Sequence, residues 1–370
     1  MKTFKTVNIF ETVKASETAK TSETVKTFRS VKAFRKVAAL LFAAMMLAAV
    51  MASAGCSVKD GPGAKSGEKL ENVRVFALKG PTGLGMVGLM DKGEKGETAN
   101  SYKVTLASSP DEVTAEVIAG RFEIAAVPAN LAAVLYNKTE GKVLLAAVNT
   151  LGVLYVLENG DTIHEIADLK GKTIGATGQG STPQYVLEYI LRANGLEPGK
   201  DVTVEYYSEH AELAARMASG DVAVGMLPEP NVTSVLVKNA DVRIAVDLTK
   251  EWEKSDKSGS TLTQGTVIVS RSFAEAHPDQ LNDFLREYGE SAAFVNANVS
   301  EAAELAEKFG VVPSKAIAAK AIPNCNIVTF TGNDAKTRLS GFLKVLFEAD
   351  AKSVGGQLPG DDFYYMGYAG

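Results

Sequence analysis

The chain is 370 residues long, 46% hydrophobic and 22% charged, with 33 Gly and 12 Pro. That is globular usage over more than one ordinary domain, and it excludes disordered, collagen-like and disulfide-scaffold proteins. The formal charge of −5 conceals a split: residues 1–36 hold nine Lys/Arg and three Glu, residues 37–55 are uncharged, and residues 56–370 carry −11. So acidic a body excludes a broad basic footprint, and no nucleic-acid partner is expected.

The uncharged stretch Val37–Gly55 follows Arg35-Lys36, has an apolar core over Val37–Met51 and ends in small residues. Residues 1–55 therefore read as a signal peptide, with a retained membrane anchor as the alternative. Ser53-Ala54-Gly55-Cys56 resembles a bacterial lipobox, with Ser53 where Leu is usual, so Cys56 is the expected lipidation site. Upstream, Glu-Thr-x-Lys recurs every six residues at Glu11, Glu17 and Glu23, within an unusual n-region or ahead of a later start. Residues 56–70 read as a lipidated Cys and a flexible Gly/Ser/Lys tether. Lipidation leaves Cys325 as the one remaining Cys, so no intramolecular disulfide and no Cys/His metal site is expected. His164, His210 and His277 are scattered and read as surface or capping residues.

From Val73 onward, short β-branched runs alternate with helical spacing. Strands are predicted at Val73–Leu78, Lys103–Ala107, Ile124–Val127, Val143–Val148 and Leu154–Leu157, with a helix at Glu112–Ile118. A second series has strands at Thr173–Ala176, Val202–Tyr206, Val222–Met226 and Val242–Val246, and helices at Gln184–Asn194, Ala211–Ser219 and Asn231–Lys238. The polar interruption Asp247–Thr263 holds the only Trp, Trp252. A strand at Thr266–Ser270 and helices near Phe273–Asn296, Ser300–Phe309, Pro313–Ala321 and Asp334–Ala349 complete the chain. The alternation predicts α/β architecture, two lobes each with a mainly parallel sheet flanked by helices.

Ligands of such sheets collect beyond the carboxyl ends of the strands. Five of those ends are Gly-rich or polar: Lys79–Gly85, Val127–Asn130, Asn149–Gly152, Gly178–Pro183 and Met226–Asn231. Helix starts there offer backbone N–H groups to anions or polar acceptors. Gly80–Gly85 lacks the Gly-Lys-Ser/Thr of a phosphate-binding loop and the spacing of a dinucleotide fingerprint.

The lipobox, the strand order, Gly80-Pro81-Thr82-Gly83, Asp168-Leu169-Lys170-Gly171-Lys172, Gly180-Ser181-Thr182-Pro183 and Leu227-Pro228-Glu229-Pro230 together resemble solute-binding lipoproteins of ABC importers. The branch is the one that binds nitrate, sulfonates, taurine and thiamine precursors, and the resemblance covers about Val73 to Ala349. It implies a type II periplasmic-binding-protein fold, two α/β lobes joined by hinge strands. The lobes would be residues 71–157 with 263–370, and residues 158–262, with hinges in Leu151–Leu157 and Leu262–Ser270. It implies that Thr82, Gly83, Asn130 and Asn149 face the cleft from one side and Gln179, Ser181, Thr182 and Glu229 from the other.

The resulting expectation is a monomeric, extracytoplasmic lipoprotein at the cell membrane that delivers a small solute to an ABC permease. It needs no cofactor, no metal and no catalytic residue. A small organic anion such as a sulfonate is favoured. A pyrimidine-like heterocycle stacked on Tyr155, Tyr185 or Trp252 is the alternative ligand. An enzyme of the thiamine-pyrimidine or menaquinone-route type on the same scaffold, and a sensory lipoprotein without a permease, are the alternative functions. Against the enzyme stand the scattered histidines and the export head.

Overall fold

The computed structural model describes residues 69–368. The signal peptide, the Glu-Thr-x-Lys repeat, Cys56 and nearly all of the tether lie outside the described residues. In chain order come β1 (Val73–Leu78), α1 (Pro81–Leu84), α2 (Val87–Glu94), β2 (Tyr102–Ala107), α3 (Pro110–Ile118), β3 (Ile124–Pro128), α4 (Ala129–Lys138) and β4 (Val143–Leu151). Next are β5 (Leu154–Asn159), β6 (Thr173–Thr177), α5 (Thr182–Ala193), β7 (Thr203–Tyr207), α6 (His210–Ser219), β8 (Val224–Pro228), α7 (Asn231–Lys238), β9 (Val242–Asp247) and α8 (Leu248–Ser255). The chain closes with β10 (Thr263–Ser270), α9 (Arg271–Ala276), α10 (Pro278–Ala297), α11 (Val299–Lys308), α12 (Lys315–Ala321), β11 (Ile327–Thr331) and α13 (Gly332–Ala349). No helix among them is long and apolar enough to cross a membrane.

The strands form two sheets, ordered β11-β4-β10-β3-β1-β2 and β7-β6-β8-β5-β9. This is the two-lobed α/β fold of type II periplasmic binding proteins. The ladders are mixed where mainly parallel sheets were predicted. β1 is parallel to β2 and β3, and β6 to β7 and β8, whereas β10 opposes β3 and β4, β11 opposes β4, and β5 opposes β8 and β9. The reversal follows from connectivity. β4 runs through Gly152-Val153 directly into β5, and β10 returns from the second sheet to the first. Each crossing strand thus enters its new sheet at the carboxyl ends of its neighbours and must run against them.

Local chemistry sets the helix starts. Ser109 caps α3 with Glu112 closing a capping box and Pro110 at the first turn. Asp247 accepts hydrogen bonds from the N–H groups of Thr249 and Lys250 and so opens α8 inside the predicted polar interruption. The single helix predicted over Phe273–Asn296 is two. His277 leaves the helical region before Pro278, which cannot donate to the preceding turn and starts α10. β11, Ile-Val-Thr-Phe-Thr, has no counterpart among the predicted strands.

One apolar cluster spans both sheets, taking in Val127 and Val148 of the first and Leu154 and Ile174 of the second. Trp252 is fully buried in it, 4.8 Å from the Tyr189 ring and 5.2 Å from Phe342, and its indole N–H donates to the Ser260 carbonyl at 3.2 Å. Trp252 is therefore packing between α5, α8 and α13, and it is not a stacking partner for a ligand. α13 docks through one stripe, with Leu339, Phe342, Leu343 and Leu346 all buried.

Candidate functional site

A cavity of about 680 Å³ lies between the two sheets, against the carboxyl ends of their strands. From the first sheet it takes Lys79–Thr82 after β1, Ser108–Asp111 after β2, Pro128 after β3, and Thr150 with Val153 around the crossing. From the second it takes Gly178–Ser181 after β6, Ser208 and His210 after β7, and Pro228, Glu229 and Asn231 after β8. All five loops singled out from the sequence reach it.

The eight expected ligand residues divide evenly. Thr82, Gln179, Ser181 and Glu229 line the cavity. Gly83, Asn130, Asn149 and Thr182 do not. Gly83 has structural work instead: a Cβ there would stand 2.7 Å from the Leu78 carbonyl, so only Gly lets α1 fold back against β1. Asn149 is fully buried behind the wall, where its Oδ1 accepts from Thr150 Oγ1 at 3.2 Å. Asn130 and Thr182 are fully buried and bond to each other across the cleft. Of the aromatic candidates, Tyr185 lines the cavity and Tyr155 does not.

Glu229 is 2% exposed, and both its oxygens accept from Thr233, from the backbone N–H and the hydroxyl, each at 3.0 Å. Burial pushes its carboxyl above the ordinary value of 4.5, and the two Thr233 bonds offset this only in part. Ser181 stands at the N-cap position of α5, and its hydroxyl donates to the Gly178 carbonyl at 2.8 Å. The rim carries the exposed lysines Lys79, Lys138 and Lys352 against Asp111.

Two loops went unnoticed in the sequence, Ser108-Ser109-Pro110-Asp111 and Ser208-Glu209-His210. Both follow predicted strands, so the carboxyl-end rule applied to every strand would have found them. His210, expected on the surface or at a cap, opens α6 at the cavity wall. Its Nδ1 shares a hydrogen bond with Thr177 Oγ1 at 2.6 Å, and burial pushes its pKa down to about 4. At neutral pH the ring is an uncharged hydrogen-bonding group. Gln264 on β10 and Lys352 after α13 also line the cavity, and no local sequence signal marked them.

A cavity between two α/β lobes, walled by strand ends and helix starts and joined by crossing strands, defines a solute-binding protein. Residues 96–321 match the family described as "ABC transporter, phosphonate, periplasmic substrate-binding protein", and the chain belongs to that family. Membership implies a small-molecule ligand and a permease partner. No curated protein matches the sequence.

Among solved structures, an ABC transporter protein from Parabacteroides distasonis is 25% identical, with a TM-score of 0.65 over 80% of this chain and 99% of its own. The alkanesulfonate-binding protein SsuA of Xanthomonas axonopodis pv. citri, bound to MOPS, is 14% identical, with a TM-score of 0.62 over 79% and 96%. The nitrate-binding protein NrtA of Synechocystis PCC 6803 is 13% identical, with a TM-score of 0.57 over 78% and 85%. At those last two identities the likeness is one of fold.

Proposed function

We propose that the chain is the lipid-anchored receptor of an ABC importer, which captures a small organic oxyanion of the sulfonate or phosphonate kind between its lobes and releases it unaltered. The observation that carries this reading is the meeting of helix starts. α3, α5, α6 and α7 all begin at the cavity, with Pro110, Ser181, His210 and Asn231 in its wall. The N–H groups of a first helical turn have no partner within the helix, and the axial dipole makes them favour negative charge; at α3 the Ser109/Glu112 capping box and at α7 the Glu229 carboxylate already take part of this capacity. The hydroxyls of Ser108 and Ser208 add neutral donors, while those of Thr82, Ser109 and Ser181 already donate to the Leu78 carbonyl, Glu112 and the Gly178 carbonyl.

The body carries −11, so attraction of an anion has to be local, from these helix starts and the three rim lysines. Lobes of residues 71–157 with 263–370, and of 158–262, would close over the solute by hinge motion at the two crossings. Lipidation at Cys56 would hold the monomer on the extracytoplasmic face of the cell membrane, and the tether would leave it free to reach the permease. Native mass spectrometry of the purified protein tests the ligand class. A retained sulfonate or phosphonate is the expected result, and a retained cation or sugar is the result that refutes it. Incorporation of labelled palmitate, abolished by Cys56→Ser, tests the anchor.

A further inference from the structure

We propose that the solute is an aryl-bearing oxyanion, whose charged head meets the helix starts while its ring enters an apolar slot in the same cavity. The inference rests on the oxyanion reading above and extends it to the rest of the ligand. The first argument is size. A bare oxyanion head takes up the space of two or three waters, on the order of 100 Å³. The cavity holds about 680 Å³, the range of sites that bury drug-sized ligands.

The second argument is the chemistry of the surplus wall. On α4, Leu131, Val134 and Leu135 line the cavity at positions i, i+3 and i+4, one face of a helix, and Lys138 continues that face to the exposed end. A helix face turned toward an aqueous anion site has no need of three aliphatic residues. From the second sheet Tyr185, in the first turns of α5, and Tyr206 on β7 line the same cavity, both half-buried. Flat rings and branched aliphatics in one lining suit a planar apolar body better than a hydrated one.

Titration calorimetry of the purified full-length protein tests this with two pairs that share a head group: phenylphosphonate against methylphosphonate, and 4-hydroxybenzenesulfonate against methanesulfonate. The aryl member of each pair is expected to bind at least about tenfold tighter, the scale of burying one ring. Tyr185→Ala is expected to erase most of that difference by weakening the aryl members. The wild-type comparison stands even where the variant does not fold. Equal or tighter binding of the methyl compounds overturns this inference and leaves the oxyanion reading intact. Failure of all four compounds to bind overturns both.

Discussion

Asn130 and Thr182 reach each other across the cleft. The Asn130 backbone N–H donates to Thr182 Oγ1 at 3.2 Å, and the Thr182 hydroxyl donates back to Asn130 Oδ1 at 3.1 Å. One opens α4 behind a strand of the first sheet and the other opens α5 behind a strand of the second. Asn130 Nδ2 also donates to the Ser353 carbonyl at 2.9 Å, which fixes the amide. The pair joins the lobes without touching the cavity.

Thr182→Val keeps the shape of the side chain and removes the bridging oxygen. It leaves the buried Asn130 N–H and Oδ1 without partners across the cleft, at a cost of about 1–3 kcal/mol. The expected outcome is a melting temperature lower by several degrees in calorimetry, at about 2–4 °C per kcal/mol for a body of this size. Solute affinity should fall with it, because capture and this contact both require the lobes to be close. An unchanged melting temperature together with unchanged affinity would remove the pair as a latch.

Glu229 predicts a pH dependence of definite sign. Its folded-state pKa is raised by burial, so the folded protein holds this proton more tightly than the unfolded chain does. The stabilising contribution is fully present below the ordinary value of 4.5 and is lost as pH rises through the folded value. Above the ordinary value the wild type therefore loses stability by keeping this carboxyl buried, a loss that Glu229→Gln escapes, while the amide oxygen still accepts from the Thr233 N–H. The variant should melt higher than wild type at pH 7.5, and the gap should close as the pH approaches 4.5. A gap that widens on acidification would contradict the raised pKa.

The order of strands was legible in the sequence because buried strands are short β-branched runs and few other segments look like them. β1 and α7 match their predicted bounds residue for residue. What escaped was set by contacts distant in sequence. α8 looked like a loop because it has only two apolar anchors, Leu248 and Trp252, and Trp252 is buried by Tyr189 and Phe342, which the sequence does not place beside it. The site was legible as loops and not as residues. Every chosen loop reaches the cavity, yet Asn130 and Thr182 turn toward each other, and Gly83 and Asn149 serve the wall behind it. Loop position follows from strand order, whereas side-chain direction at a helix start depends on the opposing lobe.

Gly152 sits at the crossing from β4 to β5, where space is the constraint. A Cβ there would collide with Thr249 Oγ1 and stand 2.9 Å from Leu262 Cδ2. Thr249 belongs to α8 and Leu262 directly precedes β10, so both crossings and the helix between them meet at this point. Gly152→Ala is expected to cost about 1–3 kcal/mol, the usual penalty for overpacking a closed site. Chemical denaturation read by the fluorescence of the single Trp252, three residues from Thr249, measures it. A variant as stable as wild type would show that the crossing has room to shift.

Glu158 supplies the opposite pH signature at the other end of the β5–β8 ladder, where it pairs with Val224 while Leu154 pairs with Pro228. Its carboxylate accepts from the Thr162 hydroxyl at 2.6 Å, from the Thr162 and Ile163 N–H groups at 3.0 Å, and from the Arg243 guanidinium at 2.8 Å. Burial alone would raise its pKa, but these donors outweigh burial and hold it below 4.5. A lowered folded pKa contributes stability above the unfolded value, lost as pH falls through the folded one. Glu158→Gln is expected to destabilise by about 1–3 kcal/mol at pH 7.5, less than a fully buried pair would because Arg243 is 31% exposed. The deficit should shrink as the pH drops below 4.5, since the wild type then loses the same charge. Glu229 lies five residues along from the Glu158–Val224 pair, about 17 Å at 3.3 Å per residue, far enough for their effects to add. The double variant Glu158→Gln/Glu229→Gln should therefore show, at each pH, the sum of the two single variants' shifts in melting temperature. A strongly non-additive result would mean that β5 and β8 transmit one glutamate's charge to the other.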